Sequence, residues 1–487
     1  MLNSEPDFAG FSALAHSSHR SPSPTATAAA ASSSRPSSGA RRVRVARPAD
    51  PAAPATPPAL APDSLACSLW LGAQAVAAVL GGRSLDAGLA LFANGPATAR
   101  AAAQDAAYGA LRRYGAGDFI LGRLLQTPLS QAEVRALLLV SLYRLETWPE
   151  APHTVVDQAV SAAGAFAGGA FRGLVNGVLR NYLRQREDLL RAAAADPVAT
   201  HWHPDWWLAR LQRAYPEAWL QIIAAGNSAP PMCLRVNRRR TTRAEYAQRL
   251  AEAGIAARPV AEDGLLLERP MPIDAVPGFA EGLVSVQDAG AQRAAELLAP
   301  AAGARVLDVC SAPGGKTAHL LERQSLDLLA LDVQPARLRR VGETLARLGL
   351  TAKTHLADAS QAVVDQSGTP APAGWWDGVP FDAILVDAPC SASGVVRRHP
   401  DAKWLRRAGD LRGFVHTQAA ILDVVWPLLA VGGKLLYATC SIFPEENGAQ
   451  IDAFVCRHGD AERVAEERLL PQAEHDGFYY ALLRKTA

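Results

Sequence analysis

The chain has 487 residues, a formal net charge of +2 and 49% hydrophobic side chains. Such a length supports several domains with sizeable cores, and the near-neutral balance excludes a protein that holds a polyanion through a global field, so any nucleic acid must be gripped by local patches. The six cysteines lack CxxC spacing, which argues against a zinc ribbon; no apolar run approaches the roughly 20 residues of a membrane span, and the N-terminus lacks a basic-then-apolar leader.

Residues 1–63 are rich in Ala, Ser and Pro and carry six arginines against four carboxylates. That composition buries too little apolar surface to offset ordering entropy, so the expectation is a disordered tail. From 64 to 195, apolar positions recur at helical spacing ("SLACSLWLGAQAVAAVL", "QAEVRALLLVSLYRLE", "FRGLVNGVLRNYLRQRE"), with Ser64 as an N-cap. This predicts an all-α bundle. Residues 196–295 are mixed: a strand in "PPMCLRVNRRR", a capped helix in "TTRAEYAQRLAEAG" and short strands in "GLLLE" and "LVSVQD". They read as a small α+β linker domain. Over 296–487, short apolar strands alternate with helical stretches: "RVLDV", "LDLLALD", "AKTHLAD", "FDAILVD", "GGKLLYAT" and a last, antiparallel "GFYYALLRK". The alternation predicts an α/β Rossmann-like domain around a doubly wound parallel sheet. The chain as a whole is read as multidomain, with residues of a cytoplasmic protein whose thiols are reduced.

Aspartates close four of these strands: Asp308 one residue before the end, Asp332, Asp358 and Asp387 at the end. Ligands of open α/β sheets bind beyond the carboxyl ends of the strands. One acidic strand end is usually a solvated cap; four around a glycine turn point to a site. That turn, "DVCSAPGGK", has neither the P-loop nor the GxGxxG pattern, which suits a ligand without phosphates. S-adenosylmethionine fits, with Asp332 on the ribose hydroxyls, Asp358 facing the adenine amino group and Asp308 or Asp387 the cationic end.

Cys390 ("DAPCS") and Cys440 ("TCS") each lie just beyond a strand of this sheet. A buried cysteine is ordinarily an inert small hydrophobe, but two at crevice-facing strand ends suggest chemistry. Carbon 5 of cytosine is a poor nucleophile. A thiolate that adds to C6 gives the ring enamine character, and C5 can then accept a methyl group. A carboxyl that is protonated or shares a proton, such as Asp387, would support N3.

The segments "DVCSAPGGK", "DAPCSASGVVRRHPDAKW" and "LLYATCSIFPEEN" resemble the signatures of the RNA cytosine-5 methyltransferases of the NOL1/NOP2/Sun type. "VNGVLRNYLR" in the helical region resembles a NusB-like RNA-binding domain. The resemblance implies Cys440 as nucleophile and Cys390 as the thiol that assists release of the methylated base. It implies cofactor contacts from Cys310, Ser311, Ala312, Pro313, Gly314, Gly315 and Lys316, with Asp332, Asp358 and Asp387. It also implies 16S ribosomal RNA, unassembled or partly assembled, as substrate of a monomeric enzyme without a metal. A transfer RNA substrate, or a non-catalytic RNA-binding assembly factor, are the alternatives. The chain departs from the family in "CSAPGG", where CAAPGG is usual, and in "HTVVDQAV", where Asp157 replaces asparagine.

Cytosine has to leave its stack to reach a thiol. "RRHPDAKW" directly follows the first cysteine and offers Arg397, Arg398, His399 and Lys403 for phosphates and Trp404 for stacking. "RVNRRR" offers a second cluster, with Arg235 and Asn237.

Overall fold

A computed structural model describes residues 60–92, 95–361 and 374–487. The expected disordered tail therefore lies outside the described residues, apart from its last four positions. Contacts group the chain into two compact units. Among the described residues, one comprises 108–126, 180–361 and 374–487; the other comprises 60–92, 95–107 and 127–179.

The second unit is helical, as the spacing predicts. The helix Leu65–Leu80 starts at Ser64, whose hydroxyl accepts from the Cys67 N–H. It buries Leu69, Trp70, Leu71, Val76 and Val79 and packs against the helices Ala132–Thr147 and Pro152–Ala163. Gln158 Oε1 accepts from the Ala66 N–H at 3.2 Å, a side-chain partner for one of the free donors of that helix start.

The first unit holds two sheets. The smaller has four strands, β1 (Cys233–Val236), β2 (Ala257–Val260), β3 (Gly264–Leu267) and β4 (Val284–Val286). They are antiparallel in the order β2-β3-β1-β4. The helix Arg243–Glu252 lies between β1 and β2 in the chain and opens with a full capping box between Thr242 and Glu245. Leu234, Val236, Tyr246, Leu250, Leu265 and Val284 form the core of this layer.

The larger sheet has seven strands: β5 (Arg305–Val309), β6 (Asp327–Asp332), β7 (Lys353–Leu356), β8 (Phe381–Asp387), β9 (Leu429–Thr439), β10 (Ala461–Leu469) and β11 (Phe478–Lys485). Their order is β10-β11-β9-β8-β5-β6-β7. Strands β5 to β9 pair in parallel, and β11 pairs antiparallel with β9 and β10. Central strands β5 and β8 read as apolar runs because helices cover both faces; Leu307, Val309, Ile384 and Val386 are fully buried. The sequence reading did not anticipate β10, because "AERVAEERL" is a charged edge strand with little apolar signal. Strand order reverses between β5 and β8, so a crevice opens there at the carboxyl ends.

Candidate active site

The glycine turn follows β5. Cys310 has φ 61°, Ala312–Pro313 is a cis peptide bond, and Gly314 has φ 95°. Gly314 caps the helix Gly315–Arg323, and a Cβ there would stand 3.1 Å from Val341 Cα. Only glycine fits that combination of positive φ and close approach. Asp332, at the end of β6, grips the same turn: Oδ2 accepts from Ala312 N at 3.3 Å and Oδ1 from Gln334 N at 3.0 Å. Arg337 Nη2 donates to Ala312 O at 3.1 Å and Thr344 Oγ1 to Pro313 O at 2.9 Å. Asp358 accepts from Ser360 N at 3.0 Å and Ser360 Oγ at 2.6 Å.

Behind the turn, Asp308 is fully buried. Its Oδ2 accepts from Thr317 Oγ1 at 2.5 Å, while Oδ1 has no partner. Burial pushes its carboxyl up to about 7, helped by the Asp387 charge and opposed by Thr317 and Lys316. A desolvated acceptor without a donor is costly. The acceptor set fits a cationic, hydroxyl-bearing nucleoside: an orphaned carboxyl oxygen of Asp308, the strand-end carboxylates of Asp332 and Asp387, and a cradle at Gly314 and Gly315.

Lys316, the second residue of the helix Gly315–Arg323, donates to Asp387 Oδ2 at 2.7 Å, at the end of β8. Burial disfavours its ammonium, but the Asp387 carboxylate, with smaller help from Cys440 and Asp308, outweighs this and raises its pKa.

The two sulfurs meet. Cys390 Sγ and Cys440 Sγ are 3.4 Å apart, because β8 and β9 are adjacent and in parallel register up to Asp387 opposite Ala438. The hydrogen bond to Cys440 and burial both raise the Cys390 thiol well above its ordinary value. Cys440 retains partial exposure, whereas Cys390 is buried.

Glu446 locks the two cysteine loops together, and sequence reasoning did not single it out. It is completely buried and accepts from Ser391 N at 2.8 Å, Ser391 Oγ at 2.5 Å, Ser441 Oγ at 2.5 Å and Gln418 Nε2 at 3.2 Å. Ser391 and Ser441 are the residues after Cys390 and Cys440. Burial raises its pKa, and its hydroxyl and amide donors oppose that. Asn447 adds a second tie, accepting from Thr439 Oγ1 at 2.6 Å and donating to Ser441 O at 2.8 Å. "PEEN" contained the signal, yet two adjacent glutamates look alike in a sequence: Glu445 is on the outside, paired with Arg210.

The residues expected to touch RNA are mostly elsewhere. Arg397 and Arg398 are buried and share Asp476, Arg398 Nε at 2.5 Å. Arg398 also reaches Asp288 at 2.9 Å. Burial alone would raise the Asp476 carboxyl, but the two guanidiniums hold it below its ordinary value. Gly394 and Gly477 meet backbone to backbone, so this segment is pinned against the loop before β11. His399 is buried. Lys403 is fully buried, its Nζ donating to Arg112 O and Asn227 Oδ1, both at 3.1 Å. Trp404 Nε1 donates to Leu111 O at 2.7 Å, and its ring packs on Tyr114. Arg235, also fully buried, pairs with Glu322 at 2.7 Å and donates to Gly315 O at 2.6 Å, bracing the glycine turn from behind. Asn237 donates to Gly282 O at 3.0 Å. Arg397, Arg398, Lys403, Arg235 and Asn237, expected at RNA, are thus held by carboxylates, carbonyls or an amide distant in sequence, and His399 is buried.

A doubly wound sheet with its glycine turn, strand-end carboxylates and facing thiols defines a Rossmann-like methyltransferase. Residues 295–484 match the family described as 16S rRNA methyltransferase RsmB/F, residues 203–274 its ferredoxin-like domain, and residues 74–184 the NusB family. Ribosomal RNA small subunit methyltransferase B of Vibrio cholerae is 47% identical over 394 residues, 78% of this chain and 88% of the relative. The Pseudomonas putida protein of that name is 43% identical over 435 residues, 85% of this chain and 98% of the relative. Among solved structures, PH0851 has a TM-score of 0.72 at 22% identity, covering 88% of this chain and all (100%) of that one. A methyltransferase homolog protein from Pyrococcus horikoshii has a TM-score of 0.51 at 28% identity, covering 60% of this chain and 98% of that one. The chain belongs to the RsmB/F family of 16S rRNA methyltransferases, an enzyme family with a NusB-like region ahead of a ferredoxin-like and a catalytic domain.

Proposed function

We propose that the protein transfers a methyl group from S-adenosylmethionine to C5 of a cytosine in 16S ribosomal RNA, through a transient bond between Cys440 and C6. The observation that carries this reading is the sulfur pair, 3.4 Å apart, at the carboxyl ends of neighbouring strands. In this reading the turn Cys310–Lys316, with Asp332, Asp358 and Asp387, holds the cofactor, which supplies an electrophilic methyl group when bound. The Cys440 thiolate adds to C6. Lys316 donates to Asp387 across a 2.7 Å bond and can pass a proton through it to the carboxyl that supports N3 as charge builds there. C5 takes up the methyl group; its proton then passes to water in the crevice, the C5–H electron pair re-forms the C5–C6 double bond, and the Cys440 sulfur leaves C6 as a thiolate with the assistance of Cys390. Glu446 keeps the two thiols in register throughout. The helical segment 64–195 serves as the RNA-binding domain, 196–295 as linker and 296–487 as catalytic domain, acting in the cytoplasm.

Cysteine substitutions on a 16S transcript test this. Cys440→Ala is expected to abolish methylation and leave RNA binding intact. Cys390→Ala is expected to leave a covalent protein–RNA adduct on a denaturing gel. Methylation of transfer RNA instead, or an intact Cys440→Ala activity, would overturn the substrate or the nucleophile respectively.

A further inference from the structure

With Arg397, Arg398, Lys403 and Arg235 consumed internally, another cation near the sulfur pair stands out. Arg406 follows the short helix Ala402–Leu405. Its guanidinium carbon lies 5.0 Å from the centroid of the Phe414 ring. Phe414 belongs to the helix Asp410–Val425, one turn before Gln418, so the two share a face. Gln418 Nε2 donates to Pro389 O, next to Cys390, at 3.0 Å, and to Glu446 at 3.2 Å. The stacked guanidinium therefore sits on the helix face turned to the Cys390 loop. The groups that act on it electrostatically are Cys390, Asp401, Asp410 and Glu446.

Among the described residues, the Arg406 guanidinium has no ion pair or hydrogen-bond partner, and its Nε is buried. Burial works against its charge. A buried donor without an acceptor is costly, and the half-buried residue leaves its two outer nitrogens, which are neither buried nor bonded, open to a ligand. The neighbouring arginines are instead paired with Asp476 and Asp288. The planar, forked guanidinium suits an oxyanion, phosphate above all. A cytosine that reaches the two sulfurs must be unstacked, which brings its flanking phosphates to the rim of the same crevice. The cofactor's carboxylate is an anion as well. The glycine turn follows β5, however, whereas Arg406 is placed by the segment after β8 and by the helix that contacts Pro389.

We propose that Arg406, stacked on Phe414, binds a backbone phosphate of the RNA next to the target cytosine. The proposal rests on the cytosine-methylation reading. Its test uses the full chain, a 16S transcript and the variants Arg406→Gln and Arg406→Lys. Losing one charge-assisted contact is expected to raise the KM for RNA about 10- to 100-fold, with kcat and cofactor affinity near those of the native protein. The slope of log affinity against log salt is expected to fall by about one phosphate equivalent in Arg406→Gln. Arg406→Lys keeps the charge and is expected to restore the slope but not the full affinity, since it loses the fork. An unchanged RNA KM and salt slope in a folded Arg406→Gln protein would overturn the proposal. So would weakened cofactor binding, which assigns the anion to the cofactor, or a lower kcat with an altered pH profile and unchanged RNA KM, which assigns the charge to Cys390. Absence of 5-methylcytosine in the native reaction would instead defeat the underlying reading, whatever the salt slope of the variants.

Discussion

Segments 387–394 and 397–404 are neighbours in the chain and both are dense with reactive side chains, yet the fold uses them in opposite ways. The first ends β8 at the crevice and presents Asp387 and Cys390 to Lys316 and Cys440. The second turns inward and spends its charges on Asp476, Asp288 and the carbonyl of Arg112. Adjacency to a site is therefore not membership of it. What separates the two is whether a complementary group arrives from elsewhere in the chain, and for the basic segment it arrives from the loop before β11 and from the residues around 112.

That contrast can be broken from the inside. Asp476→Ala leaves two buried guanidiniums without their shared carboxylate, and the expected loss is on the order of 3–5 kcal/mol of stability in urea unfolding. A loss below 1 kcal/mol would mean that the segment is not held by this pair. On the catalytic side, Glu446→Ala is expected to let the cysteine loops drift. Misplacement of about 1 Å costs on the order of 100-fold in kcat, with cofactor and RNA affinities retained; Glu446→Gln, of the same shape, should recover part of the rate. Equal rates in all three proteins would remove Glu446 from the positioning role.

Asp308 sharpens the comparison through pH. Its folded pKa of about 7 lies above the ordinary 3.8, so the folded state holds its proton more tightly. The stability it contributes is complete below about pH 4 and is lost as pH rises toward 7, with a slope of at most about 1.4 kcal/mol per pH unit. Unfolding curves of the native protein and Asp308→Asn should diverge over that window; parallel curves would refute the assignment. Trp404→Phe removes the bond to Leu111 O and should cost about 1 kcal/mol in the same assay. The smallest effect is expected from Arg397→Gln on RNA binding: a folded variant should keep the native salt slope, because a guanidinium that never meets phosphate releases no counterion.

The strands β5, β6, β8, β9 and β11, the helical N-terminal region and the Ser64 and Thr242 caps were legible because each is written locally, in hydrophobic period or in capping residues. The glycine turn and the two thiols were legible for the same reason: their motifs are contiguous, and β8 and β9 had only to be neighbours. Partners remote in sequence were not legible. Nothing in "RVNRRR" announces that Arg235 meets Glu322 and Gly315 O, and nothing in "PEEN" tells the buried Glu446 from the exposed Glu445. The sequence by itself determined which residues could do chemistry and which segments form elements, since those depend on residue type and short-range spacing. Tertiary structure alone decided which charges face the crevice and which are neutralised inside, because burial and ion pairing depend on which distant groups the sheet order brings together.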